Sequence, residues 1–299
     1  MSEISPHPSS LDPGVLVERP SWSRIRVLAL LLGAVLAALY WPILRDLGRQ
    51  WIDDANYQHG FLVPLVSAFL AWRRRAALQR IIPRGTWLGL PGMLAGIAML
   101  LIGDIGAENF LMRSSLIVIL AGLVLLHLGK EIFRTILFPL GFLFFMVPLP
   151  AIFFYALTFP LQNLAARQAA WALDLLGVPV LLDGNVIHLS QISLGVTEAC
   201  SGIRSLISLL AGAVAWASLM RPSGWLMALF VASAVPITVF ANAARIVATG
   251  LIGQWFGVEY ASGFFHEFAG WIVYLFAFAC LMGVHGRVGL VQRRWWRRS

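Results

Sequence analysis

Three reactive side chains stand out because their surroundings are almost wholly apolar. Cys200, one of only two cysteines, lies in Thr197-Glu198-Ala199-Cys200-Ser201-Gly202-Ile203-Arg204-Ser205. Glu198 stands just before it and Arg204 just after, and an apolar run long enough to enter a bilayer follows at once. A cysteine where a loop becomes a helix gains thiolate character from the helix N-terminus and from a nearby cation. The plainer alternative is a small packing residue at a helix start.

Arg245 sits in the otherwise apolar Val239-Phe240-Ala241-Asn242-Ala243-Ala244-Arg245-Ile246-Val247-Ala248. Held at mid-bilayer, such a charge costs roughly 2.5–3.5 kcal/mol on insertion scales. It therefore faces a cavity or a partner, or snorkels to the headgroups. Asn242, one helical turn earlier, is placed to orient it. His266 lies in Gly263-Phe264-Phe265-His266-Glu267-Phe268-Ala269-Gly270-Trp271, where a structural histidine is the competing reading.

A thiol with an arginine and a histidine suits acyl transfer. The thiolate attacks a peptide carbonyl and forms a thioester. A guanidinium stabilises the tetrahedral oxyanion, and a histidine or arginine gives a proton to the leaving amine. Glu198 is a candidate to orient one of these groups, and Arg204 to depress the thiol pKa. His59, His127, His188 and His285 read as structural. No HExxH, CxxC, Walker-type or GxGxxG spacing occurs, so no metal and no nucleotide cofactor is expected.

The elements that must carry these residues are membrane helices. The chain is 59% hydrophobic and 12% charged, with a mean hydropathy of +0.80, far from a soluble domain. Its apolar runs are continuous, as helices require, rather than alternating as in a barrel. The net charge of +8 is no nucleic-acid signal, because the arginines lie between apolar runs and at the C-terminus. Cys200 and Cys280 make no disulfide framework. The first apolar run reads as a retained span rather than a signal peptide.

The expectation is an all-α polytopic membrane protein of about eight spans. These cover 27–44, 57–72, 85–103, 114–129, 135–147, 205–220, 225–241 and 268–286. Residues 1–25 form an N-terminal tail, 26–286 one membrane domain and 287–299 a basic tail. Arg73-Arg74-Arg75, Arg80 and Arg84, with the C-terminal arginines, put both tails in the cytoplasm. Pro148-Leu149-Pro150 breaks the chain. Ala151 to Leu176 reads as an amphipathic helix on the outer surface and residues 180–189 as a β-hairpin at Asp183-Gly184, so this segment makes no net crossing. Gly250 to His266 reads as an outer loop. This topology sets Cys200, Arg245 and His266 at the outer face on separate helices.

These motifs resemble the exosortases, of the exosortase/archaeosortase family of multi-pass transpeptidases. The resemblance is carried by Glu198-Ala199-Cys200-Ser201-Gly202-Ile203-Arg204-Ser205, by Asn242-Ala243-Ala244-Arg245, and by His266 with Gly270-Trp271. Tyr57-Gln58-His59-Gly60-Phe61-Leu62-Val63-Pro64 and the Pro148-Leu149-Pro150 break add to it, so that it covers residues 25 to 286. It implies a cysteine-type peptidase and transpeptidase of the bacterial inner membrane, working at the periplasmic face. Its partners would be exported proteins with C-terminal Pro-Glu-Pro (PEP-CTERM) tails and an unknown envelope acceptor, often beside exopolysaccharide genes. Cys200 would be the nucleophile and Arg245 the proton donor, and His266 falls where archaeal relatives use a second arginine. The competing class is a transporter or export channel with a gating cysteine and a pathway arginine. It calls for more polar spans, and for an inverted repeat, than the sequence holds.

Overall fold

The computed structural model describes residues 22–196, 202–220, 224–257, 259 and 264–296, without the side chains of 22–26, 29, 264–269 and 288–296. The N-terminal tail to residue 21, Glu198 and Cys200 thus lie outside the described residues. Among the described residues ten α-helices and three short strands follow in order. They are α1 (Trp22–Asp53), α2 (Leu62–Arg73), the single turn α3 (Arg75–Leu78), α4 (Gly89–Ile105), α5 (Asn109–Leu128), α6 (Lys130–Phe142) and α7 (Ala151–Leu175). Then come β1 (Leu181–Asp183), β2 (Val186–His188), β3 (Ser193–Gly195), α8 (Ile203–Met220), α9 (Gly224–Phe256) and α10 (Phe264–Trp296).

Each of the eight expected apolar runs is helical, but their lengths differ. Among the described residues five helices are long and apolar enough to cross a membrane, or six if a bent pair counts as one span. The five lie in α1, α5, α8, α9 and α10. At 12 and 13 residues, α2 and α6 are too short to span alone. The bent pair is α6 with its 3₁₀ extension to Met146, followed by α7 after a 78° turn. That turn falls at Pro148-Leu149-Pro150, where missing N–H groups stop the helical ladder.

In lipid, apolar burial gives helices little reason to associate, so close packing must do it. α4 and α5 meet backbone to backbone. A Cβ on Gly89 would lie 2.3 Å from the Leu126 nitrogen, and one on Gly122 2.5 Å from the Met93 nitrogen. α1 joins this pair through polar contacts: the Tyr40 hydroxyl meets Ser115 Oγ at 2.7 Å, and Arg113 donates to Asp46 at 2.6 Å. A second group packs α8, α9 and α10 around Leu209, Ala213, Phe230, Ala234, Ala277 and Leu281.

A third unit sits at one end of that group. α7 turns Ala165, Ala166, Ala169 and Leu173 onto the β-sheet residues Ile187 and Leu194, and onto Ile246 of α9. The exposed side of α7 is apolar at Ile152, Phe153, Leu157 and Phe159, and farther along it carries Asn163, Arg167 and Asp174. The sheet is antiparallel in the order β1-β2-β3. Its first hairpin pairs Asp183 with Val186, so the loop residues are Gly184 and Asn185 rather than Asp183 and Gly184. Gly184 takes φ +58°, which glycine adopts without penalty. The third strand was not foreseen.

This unit also explains a correction to α9. The helix does not end near Ala241 but continues to Phe256, where an outer loop from Gly250 was expected. The added turns bury Ile246, Gly250 and Gly253. A Cβ on Gly250 would stand 3.3–3.4 Å from methyls of Leu194, Leu173 and Leu189. Packing against the sheet and α7 gives these residues a reason to stay helical, and the 241–256 sequence shows no such reason on its own.

Candidate active site

The segment around Cys200 is held at both flanks. On one side Val196, 1% exposed, donates its N–H to the Asn185 carbonyl at 2.8 Å and accepts from Asn185 Nδ2 at 2.9 Å. On the other side Gly202 is buried, with φ +77° and its carbonyl accepting the Leu206 N–H at 2.8 Å. A Cβ there would lie 3.1 Å from Cβ and Cγ of Asn242. The segment therefore joins the sheet to the first turn of α8.

Asn242 is 4% exposed and faces Gly202 from α9. Arg245, one turn on, is half-buried. Its guanidinium lies over Gly270 of α10: a Cβ on Gly270 would stand 3.5 Å from Nη2 and 3.6 Å from Cζ. A glycine lets the planar group lie against the helix backbone, where a large side chain would lift it away. His266 belongs to the first turns of α10, one helical turn before Gly270, since that helix begins at Phe264 rather than near Phe268. Its side chain lies outside those described. Three chain segments thus meet at one end of the α8–α9–α10 group: Gly202 against Asn242, and Arg245 against Gly270.

Arg204 is exposed in the first turn of α8 and makes no hydrogen bond or ion pair among the described residues. Among the described residues no group of His, Cys, Asp or Glu could hold a metal ion. Cys280 lies mid-helix in α10 as a free, half-buried thiol. Arg113, 4% exposed, is a further buried charge, not singled out by sequence because it stands just before the apolar run that begins at Ser114. The signal was present in Glu108, whose carboxylate accepts the Leu111 N–H at 2.9 Å and starts α5 early enough to place Arg113 inside it.

A family model for transmembrane exosortases matches residues 51–283. The chain belongs to the transmembrane exosortase family. That span holds every element from the end of α1 to most of α10, including Gly202, Asn242, Arg245 and Gly270. No curated protein and no solved structure matches the chain significantly. Exosortases are membrane transpeptidases of the cysteine type that act on proteins carrying a sorting signal. As an exosortase, the chain is a multi-pass membrane protein, in keeping with the fold.

Proposed function

We propose that this exosortase cleaves the C-terminal Pro-Glu-Pro sorting signal of exported proteins through a thioester on Cys200. It then passes the new C-terminus to an envelope acceptor. Cys200 is the nucleophile, Arg245 gives the proton to the leaving amine, and His266 stabilises the oxyanion. Asn242 holds the segment that carries Cys200, and Glu198 lies in that segment. The protein sits in the inner membrane with both tails cytoplasmic and the site at the periplasmic face. α7 lies along the outer surface without crossing.

The observation that carries this reading is the pairing of Gly202 with Asn242 and of Arg245 with Gly270. Chain connectivity alone keeps the Cα of Cys200 within about 7 Å of that of Gly202. A thiol so tethered can share a substrate carbonyl with the guanidinium of the next helix. The chemistry balances without a cofactor. The C–N bond of the substrate breaks as the C–S bond forms, and Arg245 gives a proton to the leaving amine; the acceptor nucleophile then breaks the C–S bond, restoring the thiolate, and its proton returns to Arg245.

The test is the ratio of precursor to processed substrate in membranes expressing each variant at equal level. Cys200→Ala and Cys200→Ser should both abolish processing, because neither supplies a thiolate near neutral pH. Full processing by Cys200→Ala would remove the reading.

A further inference from the structure

A cavity of about 400 Å³ opens between the end of α1, the start of α5 and the Pro148-Leu149-Pro150 break. Ligand sites fall roughly in the range 300–1,000 Å³. This cavity adjoins the start of α8, which follows Cys200 by three residues in sequence. Tyr57 and Phe154 in its wall form one core cluster with Ile203, the first residue of α8.

Arg113 lines the cavity although it is 4% exposed. α1 fixes its orientation: Nη2 donates to Asp46 Oδ2 at 2.6 Å and Nη1 to Gln50 Oε1 at 2.5 Å. The rest of its N–H fork has no acceptor among the described residues. Asn56 also lines the cavity, and its Oδ1 is buried without a hydrogen-bond partner among the described residues. One cavity wall thus holds a side chain with spare donors and a side chain with an unpartnered acceptor, the pair a peptide group requires.

Charge decides what kind of peptide fits. Two carboxylates, Asp54 and Glu108, share the wall with Arg113, which is already ion-paired to Asp46. No surplus positive charge remains to draw an acidic side chain. We propose that this cavity binds an extended, uncharged stretch of the substrate chain through its main chain. Arg113 donates to a peptide carbonyl and Asn56 accepts a peptide N–H. Apolar side chains of the substrate lie on Tyr57, Phe154 and Tyr155. The proposal rests on the reading of Cys200 as a peptide-cleaving nucleophile and adds the subsite that presents the chain to it.

The test uses the full-length chain with Cys200→Ala, so that binding is read without turnover. A photo-crosslinking residue replaces Tyr155, which is 43% exposed, and a protein with a C-terminal Pro-Glu-Pro signal is co-expressed. The expected result is a cross-link mapping to the uncharged residues that flank the Pro-Glu-Pro signal. Arg113→Gln should lower its yield about ten-fold, as loss of a charge-assisted hydrogen bond does. That variant also strands Asp46 and can weaken the fold, so Asn109→Trp is the second variant. Asn109 is exposed in the cavity wall, and a tryptophan there fills the space and should abolish the cross-link. Changing the signal's glutamate to glutamine should leave the yield unchanged. A loss there would overturn main-chain recognition. No cross-link, or one indifferent to both variants, would overturn the cavity as the subsite. Processing by the wild-type chain decides the reading of Cys200 separately.

Discussion

Gly202, at the start of α8, packs closely on Asn242 of α9, so that a side chain on the glycine would press on the asparagine. An added Cβ would stand 3.1 Å from two carbons of Asn242, on a residue whose φ is +77°. Both features favour glycine at this position, one sterically and one through the backbone. The contact fixes the C-terminal flank of the Cys200 segment against the helix that carries Arg245.

Gly202→Ala should therefore lose processing by about ten-fold or more while the protein still inserts. A strained backbone of this kind costs roughly 1–3 kcal/mol, and the segment will shift to relieve it. The processed fraction at equal membrane level measures the effect. Wild-type processing would show that the contact does not position the segment.

The Arg245–Gly270 contact makes a graded prediction. A Cβ on Gly270 would meet the guanidinium at 3.5 Å, an ordinary van der Waals separation. Gly270→Ala should keep most activity, whereas Gly270→Leu should displace the guanidinium and behave like an Arg245 variant. Arg245→Lys should also fail, because it keeps the charge but loses the planar fork. Equal processing by Gly270→Leu and wild type would separate this contact from catalysis.

Much of this arrangement is legible in the sequence, and the physical reasons are local. Long uncharged runs announce their own helices, and Pro148-Leu149-Pro150 announces its break, because covalent structure imposes both. Asn242 and Arg245 could be placed on one helix face by their spacing alone. The continuation of α9 to Phe256 was not legible, since Gly250 and Gly253 read as loop until the sheet and α7 are seen packed on them. β3 was missed because Ser193-Leu194-Gly195 has no pattern of its own and pairs with β2 only in three dimensions. Arg113 was passed over as a boundary charge, when its partners Asp46 and Gln50 lie 67 and 63 residues away in sequence, beyond α2, α3 and α4.

His59 gives the fold a pH dependence outside the membrane-spanning helices. Burial holds its pKa below the ordinary value of 6.5, and its Nε2–H donates to the Phe145 carbonyl at 3.1 Å. The neutral ring is the native form. The stability it supports is present above about pH 6.5 and is lost as the pH falls toward the lowered native pKa. Thermal unfolding of purified protein should shift down between about pH 7.5 and about pH 5.5. The shift should be smaller in His59→Gln, and an equal shift in both would assign it elsewhere.

The position of α7 is read by depth. Spin-label accessibility along its length should show Asn163, Arg167 and Asp174 near the aqueous boundary, with α7 parallel to the membrane plane. A profile with Ala165 at mid-bilayer and its two ends on opposite faces would contradict the surface placement.

The most direct measurement is mass spectrometry of the protein trapped with a co-expressed substrate that carries a C-terminal Pro-Glu-Pro signal. The expected product is a substrate fragment joined to Cys200 as a thioester, released by hydroxylamine, absent in Cys200→Ala and unchanged in Cys280→Ser. Processed substrate with no adduct on Cys200, persisting in Cys200→Ala, would contradict the thioester route.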